Sequence, residues 1–147
     1  VPARGYYFDF LEYKTNHDKN EPITTPSLPH FFAMRSKLDE IFVEGLEARF
    51  ERHRKMAEMV RGWALKNGFG LFPRAGYESI TLTCIRNDRN SDVLKLQEML
   101  RERHRVLIDA GYGKLKGKAF RIGHMGDETT VTVGELLSWL DECLALL

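Results

Sequence analysis

The sequence predicts an α+β fold: a small, mostly antiparallel sheet with helices packed on one face, and a long kinked helix at the N-terminal side. Three observations carry that prediction. Apolar residues recur at spacings of three and four from about residue 28 to 66. The period then changes to two around residues 79–85, where β-branched residues concentrate. The order of elements reads α-α-β-β-α-β-β-α, over 147 residues, a length that suits one domain with a real core.

Five aromatic rings stand between Tyr6 and Tyr13. Residues 6–14 form either a short helix or an extended aromatic strip, and so large an apolar load at a terminus must pack on something. Residues 15–30 hold Pro22, Pro26 and Pro29 with no periodicity, and read as a loop. Ser27 is a candidate helix cap and Pro29 suits the first helical turn. The long stripe follows, from Phe31, Met34, Leu38, Ile41 and Phe42 through Leu46, Phe50, Met56, Val60 and Trp63. Gly45 interrupts it at about 1 kcal/mol relative to alanine and predicts a break into two helices. Asn67-Gly68 stops the second. Its charged stretch, Glu47 to Lys55, reads as a solvated face with Glu51 and Lys55 paired at i,i+4. Residues 1–27 are thus a linker with an aromatic start, and 28–147 the compact domain.

Phe69–Phe72 is a short strand candidate, and Ser79–Ile85 alternates, with Ile80, Leu82 and Cys84 on one face. The polar turn Asn87–Asp92 supplies a cap for a helix over about 91–103. Arg105–Asp109 reads as a further strand before Gly111-Tyr112-Gly113, and Ala119–Gly123 as the last. A closing helix turns Val133, Leu136, Leu137, Leu140 and Leu144 inward.

Composition narrows the function. Twenty-two basic and 21 acidic residues leave a net charge of +1, which gives no support for a nucleic-acid or membrane-surface protein. No apolar run reaches the roughly 20 residues of a membrane span. Cys84 and Cys143 match no metal or redox spacing, and free thiols of this kind point to the cytoplasm. His17, His30, His53, His104 and His124 show no ligand spacing, so no metal site is expected. Gly111-Tyr112-Gly113 is a tight connector rather than a phosphate loop, and Lys114, Lys116 and Lys118 alternate along a face where solvation is their expected fate.

The most informative segment is Gly117-Lys118-Ala119-Phe120-Arg121-Ile122-Gly123-His124-Met125-Gly126. A short strand ending in glycines exposes its last side chains at a sheet rim. Arginine there offers paired N–H donors that match a carboxylate or phosphate. The residues alone leave two readings of Arg121, an anion clamp or an arginine on an exposed strand face. His124 beside it either touches a substrate or serves the structure.

The run from Gly113 to Gly126 resembles the C-terminal domain of class V, fold-type I aminotransferases that use pyridoxal 5'-phosphate, in the serine–pyruvate and alanine–glyoxylate group. The resemblance spans nearly the whole chain from Tyr6, and is most specific over 113–126. It implies that Arg121 holds the substrate α-carboxylate. It also implies that Thr25, in Thr24-Thr25-Pro26 before the helix motif Phe32-Ala33-Met34-Arg35, donates its hydroxyl to the cofactor phosphate of a neighbouring subunit. The aromatic residue that some members carry just before this threonine is replaced here by Glu21, Pro22, Ile23 and Thr24. The lysines of this chain do not sit in the family's Schiff-base context, so the chain looks like the C-terminal part of a larger homodimeric enzyme and is expected to be inactive alone, with no catalytic residue of its own. The implied substrates are a small amino acid such as serine or alanine and a 2-oxo acid such as glyoxylate or pyruvate. Two other readings stand beside this one: a free-standing module that binds a small anion or regulates, and the related subunits that carry a soluble-hydrogenase label.

Overall fold

A computed structural model describes residues 5–147. They divide into two units, the first ending at Val43 and the second spanning Glu44–Leu147. The helix that begins at Leu28 buries none of its residues.

In the first unit, a 3-10 turn over Tyr6–Phe8 leads into α1, Phe10–His17. The helix therefore extends past the expected end of the aromatic strip into part of the stretch read as loop. Local bonds explain this. Asp9 Oδ1 accepts from Leu11 N at 3.1 Å, Thr15 Oγ1 donates to Leu11 O, and Lys14 pairs with Asp18 at 2.8 Å one turn on. Helix α2 runs over Leu28–Glu44. Ser27 stands at its start, where its carbonyl accepts from His30 N and its hydroxyl meets His30 Nδ1 at 2.6 Å.

Gly45, at φ 84, separates α2 from α3, Leu46–Lys66. The predicted break is present, because this backbone conformation is one that only glycine adopts without strain. Asn67 closes α3, followed by Gly68 at φ 77. The second unit then adds β1 (Gly70–Leu71), β2 (Leu82–Arg86), α4 (Val93–His104), β3 (Ala119–Gly123) and α5 (Thr130–Leu144). The sheet is antiparallel in the order β1-β2-β3. This is the small antiparallel α+β architecture expected.

Two strand predictions change. The strand expected from Ser79 starts only at Leu82, because Ser79 Oγ accepts from Thr81 N and engages Thr81 Oγ1, holding the chain in a local turn. The strand expected over 105–109 reduces to one antiparallel bridge, Asp109 with Arg121. Arg105 explains it: the residue closes α4 in the left-handed region at φ 58, and Val106 N is taken by Leu100 O. The chain straightens only as it reaches Asp109.

Register decides which side chains meet the helices. Ile85 lies opposite Phe120 and Thr83 opposite Ile122, and all four are buried on the helix-covered face. The core gathers Met56, Val60 and Trp63 of α3, Leu96 and Leu100 of α4, and Leu140 and Leu144 of α5 around them. Trp63 stacks on Phe69, whose ring meets Phe120 edge-on at 5.2 Å, while Trp63 Nε1 donates to Asp141 Oδ1 at 2.7 Å. The indole thereby joins α3 to α5 with its polar atom satisfied. The other face of the sheet carries Cys84 and Arg121.

Candidate functional site

From Phe120 onward β3 alternates. Phe120 and Ile122 point into the core, so Arg121 between them must point out. Its register partner on β2 is Cys84, and on its other side it bridges to Asp109. Arg121 N donates to Asp109 O at 2.8 Å and Asp109 N donates back to Arg121 O at 3.2 Å. The side chains repeat the pairing. Arg121 Nε donates to Asp109 Oδ1 at 3.2 Å and Nη2 to Oδ2 at 2.8 Å. The guanidinium also lies over the Tyr112 ring, 5.0 Å from its centre.

Asp109 is itself anchored, since Oδ1 accepts from Gly111 N at 2.8 Å. The guanidinium of Arg121 holds the Asp109 carboxyl below its ordinary range, and the same bond raises the arginine. The turn that makes this possible requires Gly111. Its φ is +86, and a Cβ there would lie 2.5 Å from the Leu115 carbonyl oxygen and 2.7 Å from that of Ala119. Both charged side chains remain about a third exposed, so solvent screens the pair and it adds little stability. Next to it opens a cavity of about 720 Å³, lined by Leu82, Leu107, Asp109, Tyr112, Arg121 and Gly123 among others. A smaller hollow of about 190 Å³ lies between Arg121, Tyr112 and Cys84. Burial pushes the Cys84 thiol up, against the opposing pull of Arg121.

His124 lies inside the fold. It is fully buried, its Nε2 meets Thr83 Oγ1 at 2.8 Å, and its backbone N donates to Thr81 O. Burial holds its pKa below the usual histidine value. Lys114, Lys116 and Lys118 are exposed on the loop before β3, part of which is a 3-10 turn over Gly113–Leu115.

The loop after β3 is fastened by a cluster that the charge pattern alone did not single out. Glu44 accepts from Arg49 Nη1 at 2.7 Å and from Arg52 Nε and Nη2 at 2.6 and 2.9 Å. Both arginines then donate to Gly126 O at 3.1 Å, and Arg52 Nη1 also donates to Glu128 O. The hydrogen bond from Arg52 chiefly holds the Glu44 carboxyl down at about 2. Within the Glu47–Lys55 stretch only part of the face is therefore solvated. Glu51 and Lys55 pair at 3.8 Å as expected, while Arg49 and Arg52 face the loop that follows Arg121.

Thr25 belongs to the first unit and Arg121 to the second. Thr25 is exposed in the irregular segment before α2, and its hydroxyl has no partner among the described residues. A hollow of about 310 Å³ nearby is lined by Tyr13, His17, Thr24 and Phe31. Among the described residues no helix is long and apolar enough to cross a membrane.

The chain matches no family model. It is 32% identical over 123 residues to an uncharacterized aminotransferase of Methanocaldococcus jannaschii, a match covering 83% of this chain and 32% of that protein. A serine–glyoxylate aminotransferase of Methylorubrum extorquens is 32% identical over 125 residues, covering 82% of this chain and 30% of the relative. The crystal structure of an alanine–glyoxylate aminotransferase from a Nostoc species superposes with a TM-score of 0.84 at 25% identity, over 98% of this chain and 39% of that one. Sequence and fold together put the chain among the aminotransferases. Within them it belongs to the class V family, with the architecture of that family's C-terminal domain. The chain spans about a third of the length of the curated relatives it matches.

Proposed function

We propose that the protein carrying this chain is a pyridoxal-phosphate-dependent transaminase that moves an amino group from a small amino acid, such as serine or alanine, to a 2-oxo acid such as glyoxylate or pyruvate. The observation that carries this is Arg121. It stands outward from the middle of β3, beside a cavity of about 720 Å³, in a chain related to glyoxylate aminotransferases. The cofactor supplies the electron sink for breaking the Cα–H bond. The chain's own contribution is orientation. Paired N–H donors of Arg121 bind the α-carboxylate and set the remaining Cα substituents in a fixed direction, which is a direct source of rate.

Thr25 is the residue that fits a cofactor contact, because its exposed hydroxyl bonds no other described residue and is free to donate to a phosphate oxygen. That contact would cross a homodimer interface. No lysine here is assigned to the cofactor, so the 147-residue chain alone is inactive in this reading. Its free thiols suit the cytoplasm.

The test is Arg121→Ala in the protein expressed from its complete reading frame. The KM for serine or alanine should rise on the order of a hundredfold, with the folded spectrum retained. An unchanged KM in an active transaminase removes Arg121 from the site. Absence of amino transfer from serine or alanine to glyoxylate or pyruvate in the unsubstituted protein sinks the transaminase reading itself.

A further inference from the structure

We infer that Asp109 is a positioning residue for the carboxylate clamp: it grips the Arg121 guanidinium by the Nε–Nη2 edge and leaves the Nη1–Nη2 end for the carboxylate of an α-amino acid. The inference rests on the reading of Arg121 proposed above and deepens it.

A guanidinium presents five N–H groups in one plane. Asp109 takes the group on Nε and one on Nη2, at 3.2 and 2.8 Å. The remaining N–H of Nη2 and those of Nη1 form a second fork, pointing away from the backbone, and a carboxylate matches that fork as well as the first. Asp109 is not free to act as a rival that swings in and out. Its backbone is bonded in both directions to Arg121, and its Oδ1 is held by Gly111 N at 2.8 Å. Gly111 is closely packed in that turn, because carbonyl oxygens of Leu115 and Ala119 fill the space where a side chain would begin. Tyr112 lies against the guanidinium plane at 5.0 Å. One edge is therefore occupied by a group bridged to the strand and one face by the Tyr112 ring, and a long flexible side chain is reduced to a preset donor pair. Orientation before binding is what makes such a pair effective.

The alternative, in which Asp109 competes with substrate for Arg121, predicts the opposite sign. Asp109→Ala and Asp109→Asn are made in the protein expressed from its complete reading frame and loaded with pyridoxal phosphate. The KM for alanine and the inhibition constant of propionate, which keeps alanine's carboxylate and carbon skeleton but has no amino group to transfer, are measured together. In Asp109→Ala both should rise on the order of tenfold or more while kcat stays within about threefold. Asp109→Asn should fall between, because its amide oxygen still accepts one bond, and it decides the matter if the alanine variant does not fold. A fall in both constants makes Asp109 a competitor and overturns the inference. So does a loss confined to kcat, or no change. If Arg121→Ala leaves the KM unaltered in an active enzyme, the clamp reading has failed on its own account, separately from the role of Asp109.

Discussion

Helix α2 buries none of its residues, whereas α3, one glycine further along, buries His53, Met56, Ala57, Val60, Trp63 and Ala64. The two carry the same kind of apolar stripe. In α2, Phe31, Phe32, Met34, Phe42 and Val43 all stay exposed, Val43 at 89%. In α3, the stripe meets the sheet and α5, and Trp63 even finds a partner for its indole N–H. The contrast teaches that helical periodicity reports a face suited to burial, while the covering surface has to be supplied by tertiary structure.

The largest effect that tests this contrast is in the core. Met56→Ala should destabilise the chain by about 2–5 kcal/mol, whereas Phe32→Ala should change it by no more than about 0.5 kcal/mol, both read from urea unfolding. Comparable losses in the two would mean that α2 is as embedded as α3. A second pair compares two glycines that share a positive φ. Gly111→Ala must move two carbonyl oxygens as well as adopt a strained backbone, and should cost about 3 kcal/mol or more. Gly45→Ala has nothing within 4 Å of the added carbon and should cost only the backbone term, about 1–2 kcal/mol. Equal costs would show that the close approach at Gly111 relaxes freely.

The smallest effect concerns the acid limb. Glu44 has its pKa depressed from 4.5 to about 2, so its contribution is fully present above 4.5 and is lost as pH falls through about 2. Asp109 is depressed in the same direction and adds to the same limb. Glu44→Gln should flatten the decline in stability between about pH 4.5 and pH 2. An unchanged slope would mean that the arginine cluster does not hold the Gly126 loop in solution.

Much of the architecture was legible. The break at Gly45, the strand ending at Gly123, the outward Arg121 and the inward Val133, Leu140 and Leu144 follow from period, from the glycines and from strand alternation. These are local properties, written within one or two turns of chain. Ile80, Leu82 and Cys84 were also grouped on one face, and Leu82 and Cys84 indeed stand together on the less buried side of β2. That the polar Thr83 turns inward instead follows from His124, whose buried ring needs the partner that Thr83 Oγ1 supplies.

What the tertiary structure alone decided are the pairings between distant residues. Asp109 read as the end of a strand and became the carboxylate beside Arg121, twelve residues on, through a single bridge. Arg49 and Arg52 read as part of a solvated face and became the fastening of a loop more than seventy residues away. A sequence pattern encodes which face of an element is apolar, because that depends on spacing along one chain segment. It does not encode which charged group will lie within 3 Å of another, because that distance depends on the register and packing of every element between them. The sequence by itself determined that a strand would present Arg121; the fold decided that the Asp109 carboxylate would pair with it and that the Tyr112 ring would lie against it.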